Sequence, residues 1–345
     1  MSSVISRKSF KTNTIINNAW IVTSRIAKGG FGEVFLLRNV HNKSLAAMKV
    51  QTGGKPKNMV SELVWEVYVM TAFRHSRHCP RVIAYMENDA VDMIVMELLG
   101  PTLYDMQNGL NWNPIPPGLA ALIGRQCLAA VRDLHKCCFV HRDIKPANFA
   151  FGLGGKRGQV YLIDFGMSRR YRTVDGRLMP RRKKTGFRGT ILYASERAHR
   201  YEELGTVDDL ISLSYVIIEM LIGKLPWCTE NNFSKVQQMK SDYSLNDLTS
   251  SLGTHMQKFA NHISSLKEDD QPNYRKLDKL LTMVTIENGV KTKLHIRVEL
   301  PGVCIYLKMR VQPSWVQPAL NVKDYWLTQE YRKSFCLRAV HSKLR

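Results

Sequence analysis

The pair Gly100-Pro101 divides this chain into two differently patterned parts. Ahead of it, residues 20–37 read as two strands around a glycine-rich turn, and residues 45–50, 82–86 and 93–98 as three more. One helical stretch interrupts them at 59–73, with Val60, Leu63, Val67 and Met70 able to share a face. Behind the pair, helical spacing dominates: 119–137, 208–222, 233–239, 252–265 and 273–284. Strands first and helices second, rather than alternating, predict an α+β fold. The 345 residues, 44% of them hydrophobic, suffice for a sizeable core and argue against disorder.

No apolar run occupies residues 1–20, and the longest one, 210–222, carries Glu219 and is too short to span a bilayer. These features predict an intracellular protein, cytoplasmic or nuclear. The seven cysteines show no repeated spacing, so reduced thiols are expected rather than a disulfide framework. His75, His78 and Cys79 lie close together, but no second ligand cluster completes a metal site, and the expectation is a solvated loop. Without coiled-coil heptads, the expectation is a monomer. The formal charge of +21 implies acidic partners. Nine basic residues fall between 168 and 188, against Asp175 alone. No zinc-finger spacing or aromatic ribonucleoprotein motif supports specific nucleic-acid binding.

One apolar stretch, FVHRDIKPANFAF from Phe139 to Phe151, carries Asp143, Lys145 and Asn148. A packed core excludes an acid, a base and an amide unless each has a partner. Other polar positions interrupt apolar runs in the same way. Lys49 ends the run AAMK, and Glu66 on the following helix is a candidate partner. In VYLIDFG an apolar run leads directly to Asp164, where a carboxylate suits a metal held near phosphates. Ile26, Ala27, Gly29, Gly30, Phe31, Gly32 and Val34 form a glycine-rich turn whose backbone can approach phosphates closely. Each signal is modest alone, but their order is not: glycine-rich hairpin, strand lysine, helix glutamate, HRD with a following asparagine, then DFG.

That order resembles the eukaryotic protein kinases, over residues 20–284. MELLGPTL at 96–103, GFRGT at 186–190, YAS at 193–195, DDL at 208–210 and LPW at 225–227 are similar to the casein kinase I group. FGMSRRY and YASERAHR look most like its tau-tubulin kinase branch, especially divergent nematode-type members. The resemblance implies a bilobal protein-kinase fold. A small antiparallel-sheet lobe with one main helix (20–98) would precede a larger, mainly helical lobe (99–286). A leader, 1–19, and a basic tail, 287–345, would flank the domain. The tail alternates at 293–311 in the manner of a hairpin.

The resemblance further implies ATP and magnesium as cofactors and phosphoryl transfer to serine or threonine hydroxyls of proteins. Acidic proteins such as tubulin are the expected substrates. Asp143 would take the hydroxyl proton, Lys145 would neutralise the moving phosphoryl group, and Asn148 and Asp164 would hold magnesium. Lys49 would contact phosphates, fixed by Glu66. Val34 and Ala47 would sandwich the adenine, Met96 would border its pocket, and backbone at Glu97 and Leu99 would bond its edge. The asparagine, acid and base would then face phosphate and metal rather than one another. Arg188, Gly189, Thr190 and Glu196 would shape the substrate segment. Glu196 is expected to pair with Arg275.

Two positions depart from the family pattern. Ala27 replaces a loop glycine, which would cost ~1–2 kcal/mol if that position required a left-handed backbone. Leu192 replaces an arginine that contacts pre-phosphorylated substrates, and leucine cannot make that contact. The alternatives are a catalytically silent kinase-fold scaffold and a basic nucleic-acid module. Mg-ATP turnover separates the first, and steep salt dependence the second.

Overall fold

The computed structural model describes residues 10–29, 32–51, 61–87, 91–183, 185–290, 295–299 and 304–308. Its first lobe contains β1 (Ile15–Ile16), β2 (Trp20–Gly29), β3 (Gly32–Asn39), β4 (Leu45–Val50), α1 (Glu62–Phe73), β5 (Val82–Glu87) and β6 (Asp92–Glu97). The six strands form one sheet in the order β1-β2-β3-β4-β6-β5, and every pair is antiparallel. The sheet takes in Ile15–Ile16, ahead of the boundary expected at Trp20. Ile16 is buried there, and Phe10 meets Phe35 edge-on. Along β3 and β4, alternate residues Phe35, Leu37, Ala46 and Met48 bury into a compact apolar cluster with Val22 and Val95.

The second lobe follows with α2 (Leu103–Gly109), α3 (Pro117–Lys136), β7 (Phe139–Val140), β8 (Phe149–Phe151), β9 (Val160–Leu162) and β10 (Arg169–Arg170). Then come α4 (Glu196–His199), α5 (Thr206–Ile222), α6 (Phe233–Asp242), α7 (Leu245–Thr249), α8 (Thr254–Ser264) and α9 (Tyr274–Glu287). Helix α5 is buried on every side for most of its length, as expected of a central helix with apolar residues all round. Against it lies α3, whose Gly124 leaves room for the Ile217 side chain. The expected tail hairpin is present as β11 (His295–Glu299) paired antiparallel with β12 (Cys304–Lys308). Its turn, and residues beyond 308, lie outside the described residues.

One element joins the two lobes. Val69, Met70 and Phe73 of α1 pack into the large core of the second lobe. Phe73 meets Phe165 at 5.6 Å, and Phe165 meets His141 at 5.5 Å. The DFG phenylalanine therefore sits between the helix that carries Glu66 and the loop that carries Asp143.

Candidate active site

Two loops place the polar residues of the second lobe. Strands β8 and β9 pair Phe149 with Leu162, and the Ile163 amide donates to the Asn148 carbonyl at 2.9 Å. Asn148 and Asp164 therefore emerge at the same end of one hairpin. Asp209, at the start of α5, fixes the other loop. Its carboxylate accepts from the backbone amides of His141 (2.6 Å) and Arg142 (2.8 Å) and from His135 Nε2 (2.8 Å). Those bonds hold Arg142 in a left-handed conformation, φ 67°, and Asp164 adopts φ 66°. Such backbone is uncommon outside glycine and persists where its surroundings over-determine it.

Asp143 stands at the centre. Lys145 Nζ lies 2.7 Å from Asp143 Oδ2. The Thr190 hydroxyl donates to Asp143 Oδ1 at 2.8 Å and accepts from Lys145 at 2.9 Å. Asn148 Nδ2 donates to the Asp143 carbonyl at 2.8 Å and to Oδ2 at 3.2 Å. The sequence reading had these groups facing a ligand and not one another. Here they satisfy each other, as buried polar groups must. Gly189 is needed beside them: its φ is 101°, and a Cβ there would come within 2.9 Å of the Arg142 carbonyl.

Across the cleft, Lys49 Nζ contacts Glu66 Oε2 at 2.6 Å and Asp164 Oδ1 at 2.9 Å. Burial pulls the amine's pKa down, but the two carboxylates outweigh it and hold Lys49 above the usual lysine range. Burial likewise pushes Asp164 upward, and Lys49 overrides it to leave the carboxyl below its ordinary value. Glu66 is the exception: burial raises it, Lys49 opposes, and the charge of Asp164 adds to the rise, leaving it above its ordinary value. Trp65, next to Glu66, donates its indole N–H to the Ser168 carbonyl at 2.8 Å. Arg170 lies 5.0 Å from the Phe139 ring and bonds the Tyr68 hydroxyl at 2.7 Å. These contacts tie α1 to the segment after DFG, in the position that brings Glu66 to Lys49.

The roof is made by strand pairing. Ala27 sits opposite Val34, Val34 opposite Lys49, and Ala47 opposite Met96. Ala27 is extended strand and not left-handed, so its methyl costs nothing of the kind the sequence suggested. Gly32 is the demanding position, with φ 144° and a Cβ that would strike the Val50 carbonyl at 2.1 Å. Ile26 is exposed, Gly29 ends β2, and Gly30 and Phe31 lie outside the described residues. Glu97 donates its amide to the Arg81 carbonyl and bonds Lys156 through its side chain. Leu99 follows as the chain crosses between lobes, and the Gly100 amide donates to Phe151.

The basic segment is exposed over most of residues 174–183 but anchored by ion pairs. Arg169 and Arg182 contact Glu203 at 3.3 and 2.7 Å, with Arg142 at 3.9 Å. Burial lowers Arg142 to about 10; Glu203 opposes this, and Arg182, Arg169 and Arg188 reinforce it. Arg181 meets Asp269, and Arg177 meets Asp175. Among the described residues, Arg170, Arg172, Lys183 and Arg188 have no carboxylate partner. Glu196 pairs with Arg200, four residues on, and not with Arg275. The adjacent Arg197 instead reaches Glu268. The histidine–cysteine loop also differs from expectation: His78 is buried with Nδ1 2.6 Å from the Val160 carbonyl, and Cys79 is buried beside it.

Sequence reasoning overlooked His135, Asp209, Glu203 and Trp65. DDL at the start of the longest apolar helix was the available signal for Asp209, since a carboxylate there must find donors. Nothing local marks Glu203.

Asn148 spends its amide nitrogen on Asp143, which leaves its oxygen for a cation. Asp164 spends Oδ1 on Lys49, which leaves Oδ2 open among the described residues. No group of three or more metal-ligating side chains gathers among the described residues. Two hard oxygen donors without a closed cage fit magnesium, which brings water and phosphate oxygens with it. The fold and cleft therefore define a two-lobed protein whose polar cleft suits phosphate and magnesium.

Comparison with known proteins agrees. A model of the protein kinase domain matches residues 20–283. The chain is 36% identical over 273 residues to a probable serine/threonine-protein kinase of Dictyostelium discoideum, covering 79% of this chain and 54% of that protein. It is 32% identical over 215 residues to a Caenorhabditis elegans protein named as a casein kinase I, covering 62% and 63%. To a probable casein kinase I homologue of Encephalitozoon cuniculi it is 30% identical over 279 residues, covering 78% and 86%. This chain belongs to the protein kinase family. It spans just over half the length of the Dictyostelium relative and under two thirds of the nematode one.

Proposed function

We propose that the chain is an ATP-dependent protein serine/threonine kinase of the casein kinase I kind, on the tau-tubulin kinase branch. One observation carries the reading: Lys49 bridges Glu66 and Asp164 at 2.6 and 2.9 Å, while Asp143, Lys145 and Thr190 stand assembled across the cleft. In this reading Val34, Ala47 and Met96 enclose the adenine and the backbone at Glu97 and Leu99 fixes its edge. Lys49 holds the α- and β-phosphates. Asn148 and Asp164 would hold magnesium, which supplies charge neutralisation along the phosphates when bound.

Asp143 orients the substrate hydroxyl and accepts its proton. Lys145 exchanges its present carboxylate contact for the charge on the transferring group. Little covalent chemistry falls to the protein, so positioning and charge stabilisation dominate. One close charge pair, at ~4 Å and an effective dielectric of ~20, is worth about 4 kcal/mol. The hydroxyl of Thr190 joins Asp143 to Lys145, an arrangement suited to aliphatic hydroxyl acceptors. The substrates are intracellular proteins with acidic surfaces, tubulin among them. Arg188, beside Gly189, supports this: among the described residues its guanidinium donates to the Phe187 carbonyl and meets no carboxylate. Leu192 gives no contact for a phosphate already on the substrate.

Transfer from labelled Mg-ATP to casein and to tubulin tests the reading, with Asp143→Asn as control. Transfer by the parent and none by the variant is expected. A folded parent that binds ATP and transfers to neither would overturn it in favour of a scaffold.

A further inference from the structure

Lys240 of α6 is 1% exposed, yet among the described residues no carboxylate touches it. Its Nζ donates to the carbonyls of Ile191 (2.7 Å) and Ala194 (2.6 Å). The rings of Tyr215 and Trp227 lie 5.1 and 5.3 Å away, and His199 Nε2 lies at 3.4 Å. Burying an ammonium group costs several kcal/mol. An apolar side chain of similar length would fill the same space without that penalty. A role as packing alone therefore gives no reason for a lysine here.

The bonded carbonyls belong to the segment that begins at Thr190, the residue bonded to Asp143. Neighbouring bonds secure the rest of that segment. Trp227 Nε1 donates to the Leu192 carbonyl at 2.8 Å, the Tyr193 hydroxyl donates to Glu219 at 2.8 Å, and the Ser195 hydroxyl to Asp208 at 2.7 Å. Every residue from 190 to 195 is thus held from the second lobe's interior. Among the described residues, Lys240 is the side chain that holds two of them.

We infer that Lys240 is a positioning residue for the protein substrate: its buried amine sets the height and tilt of the 191–194 backbone on which the acceptor segment lies. Trp227 shares the task through its indole N–H. The inference rests on the kinase reading above. Neither residue lies in the nucleotide cleft, so the effect falls on the acceptor and not on ATP. A misplacement of about 1 Å is enough to cost on the order of 10²-fold in a positioned reaction.

The test uses the full chain carrying Lys240→Met, and separately Trp227→Phe, which keeps the ring and loses the N–H donor. The kcat, the KM for casein, the KM for ATP and the thermal midpoint are measured for each. We expect kcat/KM for casein to fall about tenfold or more in Lys240→Met and a few-fold in Trp227→Phe. The KM for ATP should stay within about twofold of the parent. An active parent whose variants keep its casein parameters would overturn the role and leave the kinase reading intact. Equal losses toward casein and ATP, with a lowered midpoint in both variants, would reduce Lys240 to a structural part. A folded parent that transfers nothing would remove the kinase reading, and this role with it.

Discussion

Two lysines, Lys49 mostly enclosed in the first lobe and Lys240 fully buried in the second, are treated oppositely by their surroundings. Lys49 sits between two carboxylates and is held above the usual lysine range. Lys240 sits under two carbonyls and two aromatic faces, and burial drags its pKa down to about 7, with only the charge of Glu196 opposing. The side chain is the same; the difference is whether a full negative charge is within contact. In the proposed reading, carboxylates fix a charge where phosphates are met, and carbonyls fix a backbone where a substrate chain lies. Burial of a lysine is therefore not evidence of one role, and its acceptors decide which.

The contrast can be broken most severely at Lys49. Lys49→Met should reduce phosphoryl transfer by at least ~10³-fold, because the proposed phosphate contact and the partner of buried Glu66 and partly buried Asp164 vanish together. Single-turnover transfer to casein measures it. If the loss were no larger than that of Lys240→Met, the two lysines would not differ as claimed.

A third charged region sharpens the comparison. Glu203 is the shared acid of Arg142, Arg169 and Arg182. Glu203→Ala should lower the unfolding free energy by about 2–3 kcal/mol, since it strands buried cation while the half-exposed Arg182 stays solvated. Urea titration at low and high salt reads this, and added salt should recover part of the loss.

The pH dependence separates buried groups further. Burial raises Glu219 to about 7 against Tyr193 and Gln107, which favour the ionised form. Its folded value lies above the unfolded one. The stability it gives is full below about 4.5 and disappears as pH rises through about 7. Lys240 has the opposite sign: its folded value lies below the unfolded 10.5, so stability is gained as pH rises from about 7 toward 10.5. Urea titrations across pH 4.5–10 should show Glu219→Gln flattening the acid limb and Lys240→Met the alkaline one. The smallest effect belongs to the exposed pair Glu196–Arg200. Arg200→Ala should shift stability by under ~0.5 kcal/mol, in the same urea assay.

Long elements were legible because their patterns are local. The strand expected at 45–50 is β4, and the helices expected at 208–222 and 273–284 correspond to α5 and α9. Short ones were missed. Helices α2 and α7 give too few turns for periodicity, although the capping boxes at Thr102 and Ser244 marked their starts. Glu196 was assigned a distant arginine when one four residues away was available. Asp143, Lys49 and Asp164 announced themselves as polar residues inside apolar runs. Glu203 and Trp65 carried no such contrast.

The order of motifs, the division at Gly100-Pro101 and the polar positions set into apolar runs follow from the chain itself, because periodicity, turn chemistry and the cost of burying charge all act on neighbours. Which base meets which acid was decided by the tertiary structure. Lys240 and the Ile191 carbonyl are 49 positions apart, and Arg142 and Asp209 are 67 apart. Coulombic and hydrogen-bond energies depend on separation in space, and only the packing of α5, α6 and the catalytic loop sets that separation.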